Sequence, residues 1–287
     1  MANPEHLERL KQGPLIWNQW RVQHPEIVPD LQYANLKGMN VCGINLQEAN
    51  LNEVDLSGAN LREAHFERAE MRKINMAYAD CFGAYLGEAV LIGANLSKIN
   101  FQEANLWLAK IGGATMVEAN LVGANLRSAT LAKANLEGAN LFGSDLGLAL
   151  AGEANFTAAN LANANLQGID LAGAILDQAN CRFADFRKAN LTRCSVRGAD
   201  LALANLVETK FFQSDMDGAD FSHADLQRAI LIDTRLSHAK LTNGKGVSKE
   251  QLRGANLDET TKLPKNTVSY GDQIDVTPLT QSASPGD

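Results

Sequence analysis

Long apolar runs are absent from this sequence. A membrane-spanning helix needs about 18 consecutive apolar residues, and no stretch of this sequence approaches that length. The N-terminus also lacks the basic segment followed by an apolar core that is typical of secretory signals. These two absences predict a cytoplasmic protein without a membrane span.

Residue patterns that carry catalysis or bind metals are missing as well. The five histidines and four cysteines show no metal-ligand spacing. No glycine-rich phosphate loop, G-x-S-x-G elbow or Cys/His arrangement occurs. We therefore expect a protein that is not an enzyme, with no catalytic residue, no cofactor and no metal site.

What the sequence has in abundance is a five-residue repeat. From Asp30 to Leu241 the chain runs through 43 consecutive units without a slip in phase, each with a small residue, Asn or Asp, Leu and two free positions, as in Ala124-Asn125-Leu126-Arg127-Ser128. The Leu position is apolar in every unit, and 27 of the 43 are Leu. A repeat this regular decides the architecture before any other feature.

A period of five fits neither regular secondary structure. In an α-helix five residues turn by roughly 140°, so the Leu side chains would scatter around the axis. In a flat strand successive Leu side chains would point to opposite faces. Only a chain that bends once per unit keeps them on one side, which predicts a coil with Leu and Ala inside and Asn or Asp outside.

The repeat resembles the A-(D/N)-L-x-x motif of the pentapeptide-repeat family over about three quarters of the chain. The resemblance implies an all-β solenoid, a right-handed quadrilateral β-helix with 20 residues per coil and about 10–11 coils. One column supports that period independently: at residues 40, 60 and onward to 240, Asn or Asp fills 10 of 11 places, against 4 of 11 at residues 30, 50 and onward to 230. With about 4.8 Å between stacked strands, the rod would be about 50 Å long.

We divide the chain into four parts. Residues 1–29 are predicted to form an N-terminal helical cap and residues 30–244 the β-helix. Residues 245–263 are expected to form a C-terminal helical cap that includes one out-of-register repeat, and residues 264–287 a flexible tail.

Three cysteines, Cys81, Cys181 and Cys194, fall at inward positions, whereas Cys42 is expected at the surface.

The N-terminal segment carries an apolar face at helical spacing, formed by Leu7, Leu10, Trp17 and Trp20. Asn3-Pro4-Glu5 has the features of a helix start, and Gly13-Pro14 should kink or divide the helix. We expect the apolar face to cover the open end of the β-helix; recognition of a partner by the two Trp is the alternative. The segment also resembles the helical leader of many cyanobacterial family members.

The C-terminal end shows a second set of cap signals. Ser248 and Gln251 form a capping box, and Leu252 should start a short helix. Ala255-Asn256-Leu257 repeats the motif, but its Leu lies 16 residues after Leu241, so one residue has been inserted.

Apolar residues at outward positions mark a candidate protein-binding patch. Its members are Phe82, Trp107, Leu108, Val122, Phe142 and Leu148. Exposed aromatic patches are typical of interfaces, so we expect an unknown protein partner or a second copy of the chain in a homodimer. A second strip carries Val90, Ile92, Leu150, Phe212, Ile230 and Ile232; near its C-terminal end we favour cover by the cap, the tail or another copy.

The main alternative function is mimicry of DNA. Some family members are acidic rods that occupy the DNA-binding surface of a type II topoisomerase, as inhibitors or protectors. Residues 30–241 hold 24 acidic and 18 basic residues, whereas a 50 Å DNA duplex carries about 30 negative charges. The charge therefore favours a scaffold or regulatory module that binds protein, and it does not favour a nucleic-acid ligand.

Overall fold

The computed structural model describes residues 1–265. Two helices, α1 (Pro4–Lys11) and α2 (Pro14–Gln23), precede the repeat. Gly13, with φ 98°, separates them, so the Gly-Pro pair divides the predicted helix in two. The predicted tail lies outside the described residues, apart from its first two.

The repeat folds into a right-handed four-sided β-helix. The second residue of each unit forms a parallel β-bridge with the residue 20 positions later, from Asp30 with Asn50 to Asp225 with Lys245. Twenty residues per coil and five per side confirm the period that the Asn/Asp column predicts. Because these bridges are single residues, the sides are short and the chain bends between every two of them.

The interior of the coil is filled by the third residue of every unit, all 43 of which are buried. The small residue two positions earlier is also directed inward. Four units carry a buried hydroxyl there, at Ser144, Thr209, Ser214 and Thr234. Each hydroxyl donates a hydrogen bond to a backbone carbonyl, at 2.5–2.8 Å, which compensates for burying a polar group in an apolar tube.

The two free positions of each unit form the corners of the coil. The backbone N–H of Ala34 donates to the carbonyl of Leu31 at 3.0 Å, which closes a tight turn around Gln32 and Tyr33. The second free residue has a positive φ in every unit, from Tyr33 (63°) to Asn243 (57°). Its side chain therefore points outward at the corner, next to the following side.

The Asn and Asp side chains form ladders along the rod. The carboxamide of Asn160 donates to Asn140 at 2.9 Å and accepts from Asn180 at 3.1 Å. The same Oδ1 accepts from the backbone N–H of Ala162 at 3.3 Å. These residues thus join neighbouring coils and hold the turn, in the structural role that the sequence predicts.

The two N-terminal helices lie over the first coil. Leu10 and Trp17 are buried, and Trp20 is 7 % exposed; Leu7 packs against the same core. The indole Nε1 of Trp17 donates to the carbonyl of Asn45 at 2.6 Å. Both rings are buried in the cap and are not accessible to a partner. The structure therefore supports the capping role and contradicts partner recognition through Trp17 and Trp20.

The C-terminal end corrects one expectation. Ser248 and Gln251 bond each other reciprocally, at 3.0 and 3.3 Å, as a capping box does. Residues 249–254 nevertheless form consecutive turns, with one i to i+4 bond from Leu252 to Ser248, and not the predicted helix. The Gln251 amide explains the difference: it reaches back to the carbonyls of Leu226 and Ala229, so the segment follows the end of the rod. The inserted residue appears as a bridge between Arg235 and Asn256, 21 positions apart.

Candidate protein-interaction surface

The predicted patch lies along the two corners of one side of the rod. We call this the Tyr85 side, after its central column of Tyr85, Asn105, Asn125 and Asp145. Phe82, Val122 and Phe142 are the first corner residues of the units that precede it. Trp107 and Leu108 occupy the corner that follows it, with Leu148 two coils further along. The patch is therefore two apolar edges with a more polar column between them.

Most of the patch is accessible. Trp107 is 41 % exposed, Phe142 44 % and Leu148 51 %. Leu108 is also exposed, whereas Phe82 and Val122 are half-buried. Trp107 and Phe142 lie within about two coils of the middle of the rod. They are far from both caps, so neither cap covers them.

Local contacts fix the aromatic groups at one end of the surface. The guanidinium of Arg62 lies over the ring of Phe82, 4.3 Å from its centroid, and pairs with Asp80 at 3.1 Å. The ring of Tyr85 stacks on His65, with centroids 4.6 Å apart and planes 8° apart. Arg62 accounts for the partial burial of Phe82 and brings a cation to the edge of the apolar surface.

The ring of Trp107 projects from a corner with small neighbours. Its backbone carbonyl accepts from Glu88 at 2.9 Å, next to Gly87 in the preceding coil. In the following coil Arg127 extends towards Gly147, where one guanidinium nitrogen lies 2.6 Å from the position that a Cβ would take. Arg127 therefore extends along the rod towards the next coil and away from the coil that holds Trp107.

Tyr85 belongs to this surface and was missed in the sequence. It is 42 % exposed and lies between the two apolar edges. The signal was present, because Tyr85 occupies a position where the repeat has Asn or Asp. An apolar residue at a ladder position is the same signal that marks Val90, Leu150 and Ile230 in the second strip.

The second apolar strip is only partly exposed. Leu150 is 53 % exposed, Ile92 40 %, Ile230 39 % and Ile232 45 %. Val90 is only 5 % exposed, which corrects its placement among the solvent-facing residues. Phe212 is half-buried.

An open groove of about 550 Å³ lies elsewhere, where Gly198 and Gly218 leave the corner without side chains. Its carboxylates are already engaged. Asp177 accepts from Ser195 and from the backbone N–H of Arg197, at 2.5 and 2.9 Å. Asp217 pairs with Arg235 at 3.2 Å and with His238 at 2.8 Å. These contacts give both acids a structural role, and we assign no chemistry to the groove.

The helices of the described residues include none that is long and apolar enough to cross a membrane.

Comparisons with known proteins agree with the geometry of the coil. The family model for pentapeptide repeats matches residues 30–68, 43–76, 79–116, 113–147, 154–193 and 204–243. A search of curated proteins found no significant match.

Three solved structures illustrate the likeness. HetL, a pentapeptide repeat protein involved in heterocyst differentiation regulation in Nostoc sp. strain PCC 7120, is 27 % identical over 84 % of this chain and 92 % of its own, with a TM-score of 0.28. A pentapeptide repeat protein of the Arabidopsis thaliana thylakoid lumen is 34 % identical over 34 % of this chain and 68 % of its own, with a TM-score of 0.34. QnrB1, a plasmid-mediated fluoroquinolone resistance protein, is 20 % identical over 63 % and 83 %, with a TM-score of 0.33.

The family model covers well over half of the chain, and the 20-residue coil has the form that the motif requires. The chain belongs to the pentapeptide-repeat family.

Proposed function

We propose that this protein is a non-enzymatic interaction module, a scaffold or regulator, that binds a protein partner through the Tyr85 side. The observation that carries the proposal is the pair of apolar corners at mid-rod, where Trp107 and Phe142 are each more than 40 % exposed. Rigid aromatic groups with a polar rim are the usual centre of a protein interface. The rod holds them at fixed spacing, so little order has to be gained on binding.

The test is capture of a partner by two matched variants. Tyr85→Asn with Phe142→Ser removes two exposed rings from the surface and restores the repeat's own residue at position 85. Tyr78→Ser with Ile175→Ser removes an exposed aromatic and an exposed aliphatic group from another part of the rod, where Tyr78 is 67 % and Ile175 40 % exposed. We expect the control pair to capture the same partner as the unmodified protein, and the Tyr85/Phe142 variant to lose it at least tenfold.

Capture that is equally strong with both variants would exclude the Tyr85 side as the binding surface. Unchanged melting temperatures would show that both variants fold. Trp107 is kept in both because its corner also borders the next side of the rod.

The alternative is a DNA-mimic inhibitor or protector of a type II topoisomerase. Many acids of the rod are paired along it, for example Asp80 with Arg62, Glu48 with Arg68, and Asp200 with Arg182, at 2.6–3.2 Å. Such pairs reduce the negative field that a DNA mimic needs. Inhibition of purified topoisomerase by the unmodified protein, unaffected by Tyr85→Asn with Phe142→Ser, would favour this alternative over the proposal.

A further inference from the structure

The side that follows the Trp107 corner has an apolar centre and carries charges at both ends. We call it the Leu150 side; its bridged column runs Glu70, Val90, Lys110, Thr130, Leu150, Asp170, Asn190 and Lys210. Leu150 is 53 % exposed, and Leu108 and Leu148 flank it at the preceding corner. The opposite edge is flat, with Gly112, Ala132, Gly152 and Ala172.

The charges of this column are spaced symmetrically about its middle. Lys110 lies one coil before Thr130, and Asp170 lies one coil after Leu150. Glu70 and Lys210 lie two coils further out on either side, again with opposite charge. Lys110 is exposed and forms no ion pair with any residue from 1 to 265. Asp170 accepts from the N–H of Ala172 and the amide of Asn190, at 3.1 and 2.8 Å, but has no cation at ion-pair distance within that range.

We propose that the Leu150 side binds a second copy of the chain in an antiparallel, two-fold symmetric dimer. The axis passes between Thr130 and Leu150, perpendicular to the rod. In an isologous contact each pairing occurs twice, so Lys110 meets Asp170 of the second copy, and Asp170 meets its Lys110. The same operation places Glu70 opposite Lys210.

The corner beside this column has the same symmetry. The second corner residues along it are Glu88, Leu108, Ser128, Leu148, Gly168 and Lys188. An antiparallel copy brings Leu148 over Ser128 and Leu108 to Gly168, where the Leu148 side chain already lies, with its Cδ2 2.9 Å from the position that a Cβ would take. Apolar side chains of the two copies therefore meet at this corner. Glu88 meets Lys188, which adds a further pair of opposite charge.

A parallel dimer through this side would not have this complementarity. A two-fold axis along the rod would set Lys110 against Lys110 and Asp170 against Asp170. Like charges placed directly opposite each other disfavour an interface. The order of charges along the column therefore selects the antiparallel arrangement, and it selects a partner that carries the same order, which is another copy of this chain.

Charge reversal tests the pairing directly. In a dimer of Lys110→Asp two acids face each other in both central pairs, because position 110 of each copy lies opposite Asp170 of the other. In a dimer of Asp170→Lys two lysines face each other in the same way. Each variant alone should therefore dimerise at least tenfold more weakly, as measured by sedimentation equilibrium. A mixture of the two variants restores both pairs and should form a heterodimer about as tight as the unmodified dimer. The double variant Lys110→Asp/Asp170→Lys should also dimerise. Lysine already occupies this column at positions 110 and 210, so the fold accepts it.

Lys37→Asp, an exposed lysine on another side, is the control and should leave the dimer unchanged. A monomeric wild type at all concentrations, or single variants that dimerise normally, would overturn the proposal. So would a photo-crosslinker at position 150 that captures a different protein and not the segment around Thr130. Because Tyr85→Asn/Phe142→Ser changes another side, loss of partner capture with an intact dimer separates this inference from the proposed function.

Discussion

At the scale of single residues, the backbone conformation of the corner is the least ordinary feature of the coil. The second corner residue has a positive φ in every unit, yet only some of these residues are glycine. Left-handed conformations cost roughly 1–2 kcal/mol for other residues. Some of these corner side chains pair across neighbouring coils, Arg68 with Glu48 at 2.6 Å and Lys98 with Glu118 at 3.3 Å, but exposed ion pairs contribute only about 0–1 kcal/mol each.

The Asn ladder gives the first prediction. Asn160→Ala removes the bonds to Asn140, Asn180 and the backbone of Ala162. Since each bond contributes about 0.5–1.5 kcal/mol and the group is half-exposed, we expect a loss of about 1 kcal/mol in chemical denaturation. Asn160→Asp keeps the acceptor oxygen, as Asp80 and Asp200 do in the same column, and should lose less. Equal losses in the two variants would mean that the ladder does not depend on the acceptor.

Thiol reactivity gives the second prediction. Cys42 is exposed, as the sequence predicts, and the other three cysteines are buried. Burial raises the pKa of Cys194 to about 12 and raises those of Cys81 and Cys181 as well, so their thiolates are scarce at neutral pH. An aromatic disulfide reagent should titrate one thiol in the native protein and four after denaturation. Cys42→Ser should leave none reactive in the native state; a second fast thiol would show that the rod opens.

At the scale of elements, α2 closes the first coil through one side chain above all. Trp17 is fully buried and bonds the carbonyl of Asn45, and the amide of Asn18 donates to Gly43 at 2.9 Å. These contacts satisfy carbonyls that no preceding coil can reach. An uncovered end would offer an unpaired edge to other chains.

Trp17→Ala should therefore destabilise the protein by roughly 3–5 kcal/mol, the usual range for a large buried aromatic residue. It should also promote aggregation from the N-terminal end, seen as light scattering well below the melting temperature. Leu15→Ala, on the exposed face of the same helix (71 % exposed), is the control and should change the unfolding free energy by less than about 0.5 kcal/mol. Similar values for both variants would show that α2 does not act as a cap.

His238 links the last regular coil to the C-terminal segment. Its Nδ1 lies 2.8 Å from Asp217, its Nε2 lies 3.6 Å from Asp258, and its backbone N–H donates to Asp258 at 3.2 Å. The hydrogen bond to Asp217 and the charge of Asp258 raise the pKa of His238 above its ordinary value. A raised histidine pKa adds stability that is complete below about pH 6.5 and is lost as pH rises through the folded-state value.

The melting temperature of the wild type should therefore exceed that of His238→Gln most clearly near pH 5.5–6, and the difference should shrink by pH 8.5. Asp258→Asn should reduce the difference because it removes one of the two carboxylates. His223→Gln is the matched control, because His223 lies three units away and its ring bonds only Asn243 among the residues described. A difference that grows with pH would contradict the sign of the coupling.

At the scale of the whole molecule, the repeat was sufficient to predict the fold. A Leu every five residues demands a bend in every unit, the resemblance to the pentapeptide-repeat family implied four sides, and the Asn/Asp column supported the 20-residue coil. The C-terminal cap could not be obtained in the same way, because a capping box predicts a helix, whereas the open carbonyls of Leu226 and Ala229 bind Gln251 instead. Tyr85 was missed although the five-residue phase places it, like the Asn and Asp residues of the other units, on the outside of the coil.

The coil period also makes the rod modular, because each coil contacts only its neighbours and stability is nearly a sum over them. Deletion of residues 191–210 removes one complete coil and returns every later residue to its own side. Ser214 then takes the place of Cys194, whose thiol donates to the carbonyl of Leu171, and Asp220 takes that of Asp200 beside Arg182. This variant should fold cooperatively and lose only a small part of its stability.

Deletion of 18 residues, 191–208, is the contrasting change. It moves every later Leu two positions out of phase and turns polar residues inward, which costs far more than the missing coil. We expect the coils after residue 190 to lose their circular dichroism signal while the coils of residues 30–190 keep theirs, whereas the 20-residue deletion gives the wild-type spectrum per residue. If both deletions unfolded alike, the coils would depend on contacts beyond their neighbours, and the 20-residue coil would not be the unit of stability.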